Sequence, residues 1–314
     1  MLKKVINKLL KTKVARIIPD STFLKIKFWI NYGKKLDLNN PKSYNEKIQW
    51  LKLNDRKEFY SNIVDKYEVK KYVSDLIGEQ YLIPTLGIYN NWNEIDFNLL
   101  PDQFVIKCTH DSGGMIVCRD KKNLDIKKAR KKINKSMKKN YYWMSREWPY
   151  KNVKPRIIIE QYLDFNNTCS NNNESNYISS EQLQKENGLL DYKFMCFNGK
   201  VEYLFLDIGV IGKGTGHSEN YYRNIYDVNF NIQPFLETRK NYPIKVEKPK
   251  NFEKMLDIAS RLSKGFKHIR VDLYNVDGKI YFGELTFYHG GGLTNKFSPE
   301  SYNDSFGELI DLKK

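Results

Sequence analysis

Cysteine and histidine are scarce in this chain, with four of each in 314 residues. Cys108, Cys118, Cys169 and Cys196 are scattered, without the close pairing of a zinc site or the framework of a disulfide-stapled domain. Three of them sit among strand-like apolar neighbours and are expected to act as small buried hydrophobes in a reducing compartment. No apolar run approaches the ~18 residues of a membrane span. No secretory signal is read at the start either: Met1-Leu-Lys-Lys-Val-Ile-Asn-Lys-Leu-Leu-Lys11 is basic, but its apolar residues are interrupted every few positions. The expected location is cytoplasmic. Acidic residues are in deficit, 37 Asp and Glu against 53 Lys and Arg, a formal net charge of +16. That excess suits an anionic substrate, a nucleotide or an anionic membrane surface. No zinc finger or RNP-type aromatic strand accompanies it, so no nucleic-acid partner is expected.

What is present is enough for a real core: hydrophobic residues make up 40% and aromatics 14% of the chain. Residues 1–28 read as a basic amphipathic helix, with Val5, Leu9 and Leu10 against Lys3, Lys4, Lys8 and Lys11, and Pro19 as a break. Such a segment either docks on an anionic inner leaflet or packs on its own domain. A capping box, Ser43 with Glu46, opens a helix whose apolar face is Ile48, Trp50, Leu51 and Leu53. A second helix is expected over 60–76, carrying Asp65-Lys66-Tyr67. Phe104–Cys108 is a strand that enters the glycine loop Thr109–Gly114 and leaves along Met115–Cys118. A basic helix over 124–139 precedes a β-branched strand ending in Glu160. The polar stretch 166–187 reads as a loop, and 191–206 as a hairpin turning at Asn198-Gly199. Residues 209–216 are Gly-rich but lack the P-loop pattern. Residues 221–249 read as mostly irregular, and 252–266 as a helix.

The segment from Arg270 to Gly292 reads as a β-hairpin turning at Asn275-Val-Asp-Gly278, where Gly278 supplies the permissive position. Arg270 and Asp272 stand two apart on its first strand, Glu284 and Thr286 two apart on its second. The strand period puts each pair on one face, while Val271, Leu273 and Leu285 point the other way. This polar face is either solvated or a site that holds Mg²⁺ between carboxylates and phosphates against a guanidinium. Other elements are equally open one by one. Lys107 either snorkels to water or meets phosphates beside the backbone N–H groups of Gly113-Gly114. Glu160 is an edge charge or a ligand for an adenine amino group or ribose hydroxyl, beside free backbone groups of Gln161–Leu163. Lys193, flanked by Asp191, is solvated or a second phosphate lysine. His289-Gly-Gly-Gly292 is a turn with a surface histidine, or a loop that holds an acceptor through its N–H groups. His110 and Asp111 stand within reach of a γ-phosphate, whereas His217 and His268 read as structural.

Taken in order, these elements resemble the ATP-grasp superfamily and, more narrowly, the TupA-like ATP-grasp family of polysaccharide biosynthesis. The narrower resemblance rests on Ser43-Tyr-Asn-Glu-Lys-Ile-Gln-Trp50, Asp65-Lys-Tyr-Glu-Val-Lys70 and Val105-Ile-Lys-Cys-Thr-His-Asp-Ser-Gly-Gly114. It extends through Arg146-Glu-Trp-Pro-Tyr150, Ile157-Ile-Ile-Glu-Gln-Tyr162, Asp191-Tyr-Lys-Phe194, Phe197-Asn-Gly-Lys-Val201, Arg270-Val-Asp272 and Gly283-Glu-Leu-Thr-Phe287, covering about residues 41–312.

The resemblance implies an α+β ATP-grasp fold, two α+β lobes clamping ATP, with an N-terminal helical extension. Its expected divisions are a basic extension over 1–40, an N-terminal lobe over 41–100, a lid subdomain over 101–165 and a C-terminal lobe with the metal site over 166–314. ATP and Mg²⁺ are the implied cofactors. Lys107 and Lys193 would contact the phosphates, with Gly113 and Gly114 closing over them. Glu160 and the backbone near Gln161 and Tyr162 would hold adenine and ribose. Asp272 and Glu284 would ligate Mg²⁺, and Arg270 would counter charge on the γ-phosphate or acyl phosphate, which makes Arg270 and Lys193 the expected catalytic cations. Thr286 stands where many ATP-grasp enzymes carry Asn, and its hydroxyl is the expected third oxygen. Lys66 lies in the family's Asp-Lys motif, in reach of nucleotide or acceptor.

The activity so implied is an ATP- and Mg-dependent carboxylate–amine ligase that forms an amide through an acyl phosphate, in cell-surface polysaccharide assembly. Its partners would be an anionic carboxylate-bearing sugar or glycan precursor and an amine or amino acid, with peripheral contact at the inner membrane face. The same ATP site also serves a kinase acting on a sugar or lipid-linked glycan. A glycosyltransferase is disfavoured by the lack of an Asp-x-Asp pair, and a binding-only protein by the joint presence of Lys107, Arg270, Asp272 and Glu284.

Overall fold

Pro19 decides the layout of the first forty residues. Instead of one helix over 1–28, the chain forms α1 (Leu2–Leu9), a 3₁₀ turn over Lys13–Ile17 and α2 (Asp20–Tyr32), which starts directly after Pro19. Proline has no N–H to donate, so it stands where a helix begins rather than inside one. Leu10, Ala15, Phe23, Leu24, Phe28 and Leu36 form a small core closed by Leu293, so the extension packs on the rest of the molecule. Leu2, Val5, Leu9, Val14 and Ile17 stay exposed. The computed structural model describes residues 1–165, 177–210, 218 and 221–313.

α3 (Tyr44–Asn54) opens with the expected capping box, the Ser43 and Glu46 side chains each serving the other's backbone N–H. Its inward face differs from the apolar reading. Asn45, Gln49 and Lys52 are buried beside Ile48 and Leu51, while Trp50 and Leu53 are only half-buried. The helix expected over 60–76 is two, α4 (Tyr60–Val64) and α5 (Val69–Ile77). Asp65 separates them by accepting from the N–H groups of Tyr67 and Glu68, which starts a new turn.

Four strands, β1 (Thr85–Tyr89), β2 (Phe104–Cys108), β3 (Met115–Cys118) and β4 (Ile157–Gln161), make an antiparallel sheet in the order β1-β4-β2-β3. α6 (Ile126–Met137), capped by Asp125, lays Ala129 and Ile133 into a core with Phe104, Ile106, Ile157 and Ile159. A short α7 (Tyr142–Ser145) leads out of this lid.

The second half begins with β5 (Tyr177–Ile178) and α8 (Ser180–Asn187). That corrects the loop expected over 166–187, of which 166–176 lies outside the described residues. Ser179 caps α8 by accepting from Gln182 N–H, and Leu183 anchors it. β6 (Asp191–Phe197), β7 (Lys200–Ile208) and β8 (Tyr222–Tyr226) follow, then β9 (Leu236–Glu237), β10 (Lys245–Val246) and α9 (Phe252–Ser263). The chain closes with β11 (His268–Val276), β12 (Lys279–Thr286), β13 (Phe297–Ser298) and α10 (Tyr302–Glu308). The main sheet is antiparallel, ordered β12-β11-β6-β7-β8. β8 falls where irregular chain is expected, because its buried Arg223 and Asn224 hide the alternation that marks a strand.

α9 buries Met255, Ile258, Ala259 and Leu262 against this sheet, and Tyr44, Ile48, Tyr60, Ile63 and Val73 from α3–α5 join the same core. The lobe expected over 41–100 therefore has no core of its own: α3–α5 belong with the large sheet, and β1 with the lid. Cys108, Cys118 and Cys196 are free and buried, whereas Cys169, His217 and most of the Gly-rich stretch lie outside the described residues. No helix among the described residues is long and apolar enough to cross a membrane.

Candidate active site

The hairpin of β11 and β12 brings its four polar residues together by register, Arg270 opposite Thr286 and Asp272 opposite Glu284. Its turn is tight because Asp277 and Gly278 both take positive φ, 50° and 83°. β6 adds Lys193 directly across from Asp272. Arg270 Nε and Nη2 donate to the two Asp272 oxygens at 2.6 Å each, and Nη2 also to Glu284 Oε1 at 2.8 Å. Lys193 Nζ donates to Asp272 Oδ2 at 2.8 Å and to Asp191. Thr286 Oγ1 donates to Glu284 Oε1 at 3.1 Å. This face is not solvated: Arg270 is 8% and Asp272 1% exposed, whereas the Glu284 side chain opens to the cleft, at 41%. Burial works against charge on Glu284, yet Arg270, then Lys66 and Lys193, hold its carboxyl down to about 2. Asp191 moves the other way: burial raises its carboxyl against the pull of Lys193.

Such an array is costly to desolvate unless every charge is matched, and here the matching is by forked, charge-assisted hydrogen bonds. It also fits the implied cation. Asp272 Oδ2 and Glu284 Oε1 converge from adjacent strands within 2.6 and 2.8 Å of one nitrogen, Arg270 Nη2. Among the described residues no group of three or more His, Cys, Asp or Glu side chains is placed to hold an ion alone. Mg²⁺ habitually takes one or two carboxylates and completes its shell with phosphate oxygens and water, so this all-oxygen pair suits it.

Across the cleft, Lys107 on β2 donates to Glu160 Oε2 at 2.7 Å, and Lys70 from α5 reaches Oε1 at 2.6 Å. Lys107 is thus paired rather than snorkelling. Burial disfavours the Glu160 charge, but Lys107 and Lys70 bring its carboxyl below the usual range. In the glycine loop Gly113 has φ 97°. A Cβ on Gly114 would meet Asp111 Oδ1 and Ser136 Oγ, each at 2.6 Å. Lys66 Nζ donates to the Asp111 carbonyl at 2.5 Å, and His110 is buried against Ser136 O.

Lys107, Gly113, Gly114, Lys193, Arg270, Asp272 and Glu284 line a single cleft of about 520 Å³. Glu160, Gln161 and Tyr162 border an apolar slot with Val105, Val117, Leu163 and Tyr274, which adjoins the cleft at Lys107, Met115 and Tyr274. One detail differs from expectation: the Gln161 N–H is not free but donates to Pro84 O at 3.0 Å. Thr286 faces a further cavity of about 400 Å³ beyond Glu284.

Sequence reasoning missed the polar wall behind Arg270. Arg223 on β8 forks onto Asp207 at 2.6 and 2.7 Å and also binds Glu237. His289 is no surface residue. It is 5% exposed, accepts from Arg270 Nη1 at Nδ1 (2.8 Å), and turns Nε2 toward Glu237 at 3.7 Å. Burial lowers its pKa, and an Nδ1 acceptor requires the neutral ring. The only sequence trace of this wall is a lone acid closing the apolar run Leu204-Phe-Leu-Asp207.

A lid sheet facing a larger antiparallel sheet, with paired cations and carboxylates across the cleft between them, defines an ATP-grasp protein of the α+β class. The chain belongs to the TupA-like ATPgrasp family, whose model matches residues 46–311. None of the curated proteins matches it. Among solved structures it is similar to D-alanine–D-alanine ligase from Helicobacter pylori, at 14% identity and TM-score 0.41, over 87% of this chain and 70% of that one. It is also similar to D-alanine–D-alanine ligase from Bacillus anthracis complexed with ATP, at 14% identity and TM-score 0.38, over 72% of this chain but only 55% of that one. A third is the ADP complex of purK, N5-carboxyaminoimidazole ribonucleotide synthetase, at 14% identity and TM-score 0.38, over 84% of this chain and 56% of that one.

Proposed function

We propose that this protein is a carboxylate–amine ligase that couples ATP cleavage to amide formation in cell-surface polysaccharide assembly, working in the cytoplasm on an anionic sugar or glycan carboxylate. One observation carries the reading: Lys107 with the Gly113-Gly114 loop and the Lys193–Arg270–Asp272–Glu284 array face each other across one cleft. In this reading the apolar slot beside Glu160 takes the base of ATP, and Lys107 and Lys193 neutralise the phosphates that pass between the sheets. Asp272 and Glu284 would hold Mg²⁺, which supplies charge neutralisation for phosphoryl transfer. Arg270 stands where negative charge grows as a substrate carboxylate oxygen attacks the γ-phosphorus and the bond to the ADP oxygen breaks. The resulting acyl phosphate is then attacked by an amine nitrogen. Its C–O bond to phosphate breaks, inorganic phosphate leaves and the nitrogen gives up a proton. The lid excludes water, which would otherwise hydrolyse the intermediate.

The test is ADP release by the purified protein with MgATP over a grid of uronic acids and other carboxylates against amines and amino acids. The expected result is release that needs both partners and yields one amide per ADP. ADP release on a sugar hydroxyl alone, with no amide formed, would replace the ligase by a kinase.

A further inference from the structure

Beyond the wall formed by Arg270, Glu284 and Thr286 lies the second cavity, about 400 Å³, whose floor is the connector that carries Tyr141, Ser145, Glu147 and Tyr150. Its opposite rim is Lys27 and Asn31 of α2, which stand before the start of the family match at residue 46. The cavity shares Asp111, Ser112, Arg270 and Glu284 with the ATP cleft, so anything bound in it abuts the reacting phosphate.

Its charges are unbalanced in one direction. Glu147 is 4% exposed, and its carboxylate accepts a hydrogen bond from Ser145 Oγ at 2.5 Å. No Lys, Arg or His nitrogen lies within 4.0 Å of it among the described residues. Asp111 turns one oxygen to Ser136 and leaves the other, Oδ1, buried without a donor. Glu284 is the third carboxylate on the wall, and the Arg270 between them is already committed to Asp272, Glu284 and His289. Burial raises the Glu147 carboxyl against the pull of the buried Lys52, whose ammonium is spent on Gln49 Oε1 and on the carbonyls of Ser145 and Gly291 rather than on the carboxylate itself. Tyr141, Tyr150 and Tyr288 supply ring faces and hydroxyls around it, walls that suit an ammonium group. At the far rim the sign changes: Lys27, half-buried and hydrogen-bonded to Asn7 Oδ1 at 2.8 Å, is the cation there.

We propose that this cavity is the site of the amine substrate and that it takes a free amino acid, its amino group held by Glu147 between the tyrosines and its carboxylate turned toward Lys27 and Asn31. The amino group then lies on the Glu284 side, next to the reacting phosphate, and the N-terminal extension contributes to the choice of amine. The assignment of partners to pockets rests on the ligase reading, but occupancy of this cavity does not depend on turnover.

The experiment is saturation-transfer NMR on the full chain with glycine, L-alanine, L-glutamate and L-lysine, each beside its N-acetyl derivative and its α-amide. At least one free amino acid should bind, and its N-acetyl derivative should bind at least tenfold more weakly. Glu147→Gln should weaken that amino acid at least tenfold. Lys27→Met, a change at the rim, should weaken it while leaving its α-amide unchanged. Affinity for a fluorescent ATP analogue should stay at the wild-type value in both variants, which shows that the fold persists. Equal binding of free and acetylated forms, no binding of any amino acid, or Glu147→Gln and Lys27→Met behaving like wild type would each overturn the proposal. Amino acid binding without any amide product would sink the ligase reading alone. Amide formation with an unchanged amine KM in Glu147→Gln would sink this site alone.

Discussion

Arg270 is the residue on which the site's electrostatics converge, since Asp272, Glu284 and His289 all hydrogen-bond it. Removing it leaves Asp272 buried with Lys193 as its remaining cation. Arg270→Met should therefore cost about 3–5 kcal/mol of stability, as expected for a broken buried pair, and lower ADP release by roughly 10³ or more. Arg270→Lys should rescue little, because an ammonium cannot reproduce the fork onto two carboxylates. Urea unfolding and steady-state ADP release check both; near-wild-type release by Arg270→Lys would reduce Arg270 to a point charge.

A second residue sets the acid limit. His268 Nδ1 donates to Cys196 O at 2.9 Å and Nε2 accepts from Tyr44 Oη at 3.0 Å, and burial lowers its pKa to about 3. Below pH ~6.5 the unfolded chain takes up a proton that the folded chain refuses. Stability is thus complete above that value and falls as pH drops toward 3, by up to about 1.4 kcal/mol per pH unit for this group. His289, also lowered by burial, adds in the same sense. Glu237 adds a later loss: burial opposes its charge, but Arg223 holds it at about 2, so its contribution disappears between about 4.5 and 2. His268→Gln, which cannot titrate, should be about 1–3 kcal/mol less stable at pH 7 yet lose less than wild type between pH 7 and 5. Equal losses in both proteins would remove His268 from the account.

At the scale of elements, the glycine loop between β2 and β3 is built around small residues. Gly114→Ala would drive a Cβ into Asp111 Oδ1 and Ser136 Oγ, both 2.6 Å away. The loop or the Asp111 and Ser136 side chains that seat it must then shift, and ATP affinity should fall about tenfold with overall stability little changed, a split readable by nucleotide titration beside thermal melting. This loop and the β11–β12 hairpin were legible because their information is local. Alternation, a turn glycine and residues two apart fix the faces of Arg270, Asp272, Glu284 and Thr286 without any knowledge of the partner strands. α8 was legible too, through the Ser179-x-x-Gln182 cap, but a polar composition outweighed it in reading 166–187. The Asp207–Arg223–Glu237–His289 wall was not. Its members come from β7, β8, β9 and the turn after β12, and only the sheet order brings them into contact. Lys52 on α3 shows the same limit. Its position on the inner face follows from helical spacing. Its burial, with bonds to the carbonyls of Ser145 and Gly291 at 2.9 and 2.6 Å, depends on elements far away in the chain.

For the whole molecule, the question is what the N-terminal extension does besides framing the second cavity. It is fixed to the body through Leu293, and through Arg146, which donates to the Ala15 and Ile18 carbonyls. Its inward face is therefore accounted for by packing. Its outward face is not: Leu2, Val5, Leu9, Val14 and Ile17 are 52–83% exposed, and Lys3, Lys4, Lys8, Lys11, Lys13 and Arg16 stand among them. Apolar side chains interleaved with cations, on a chain of net charge +16, match an anionic bilayer surface better than bulk water. We expect the protein to co-sediment with vesicles containing phosphatidylglycerol and not with pure phosphatidylcholine. Each lysine near the surface contributes about 1 kcal/mol, screened within a Debye length, so 0.5 M salt should weaken the binding strongly. Val5→Asp with Leu9→Asp, both changes on exposed positions, should abolish it while leaving the thermal midpoint and ADP release in solution intact. Binding that survives the double variant would mean that the basic body, and not this face, meets the lipid.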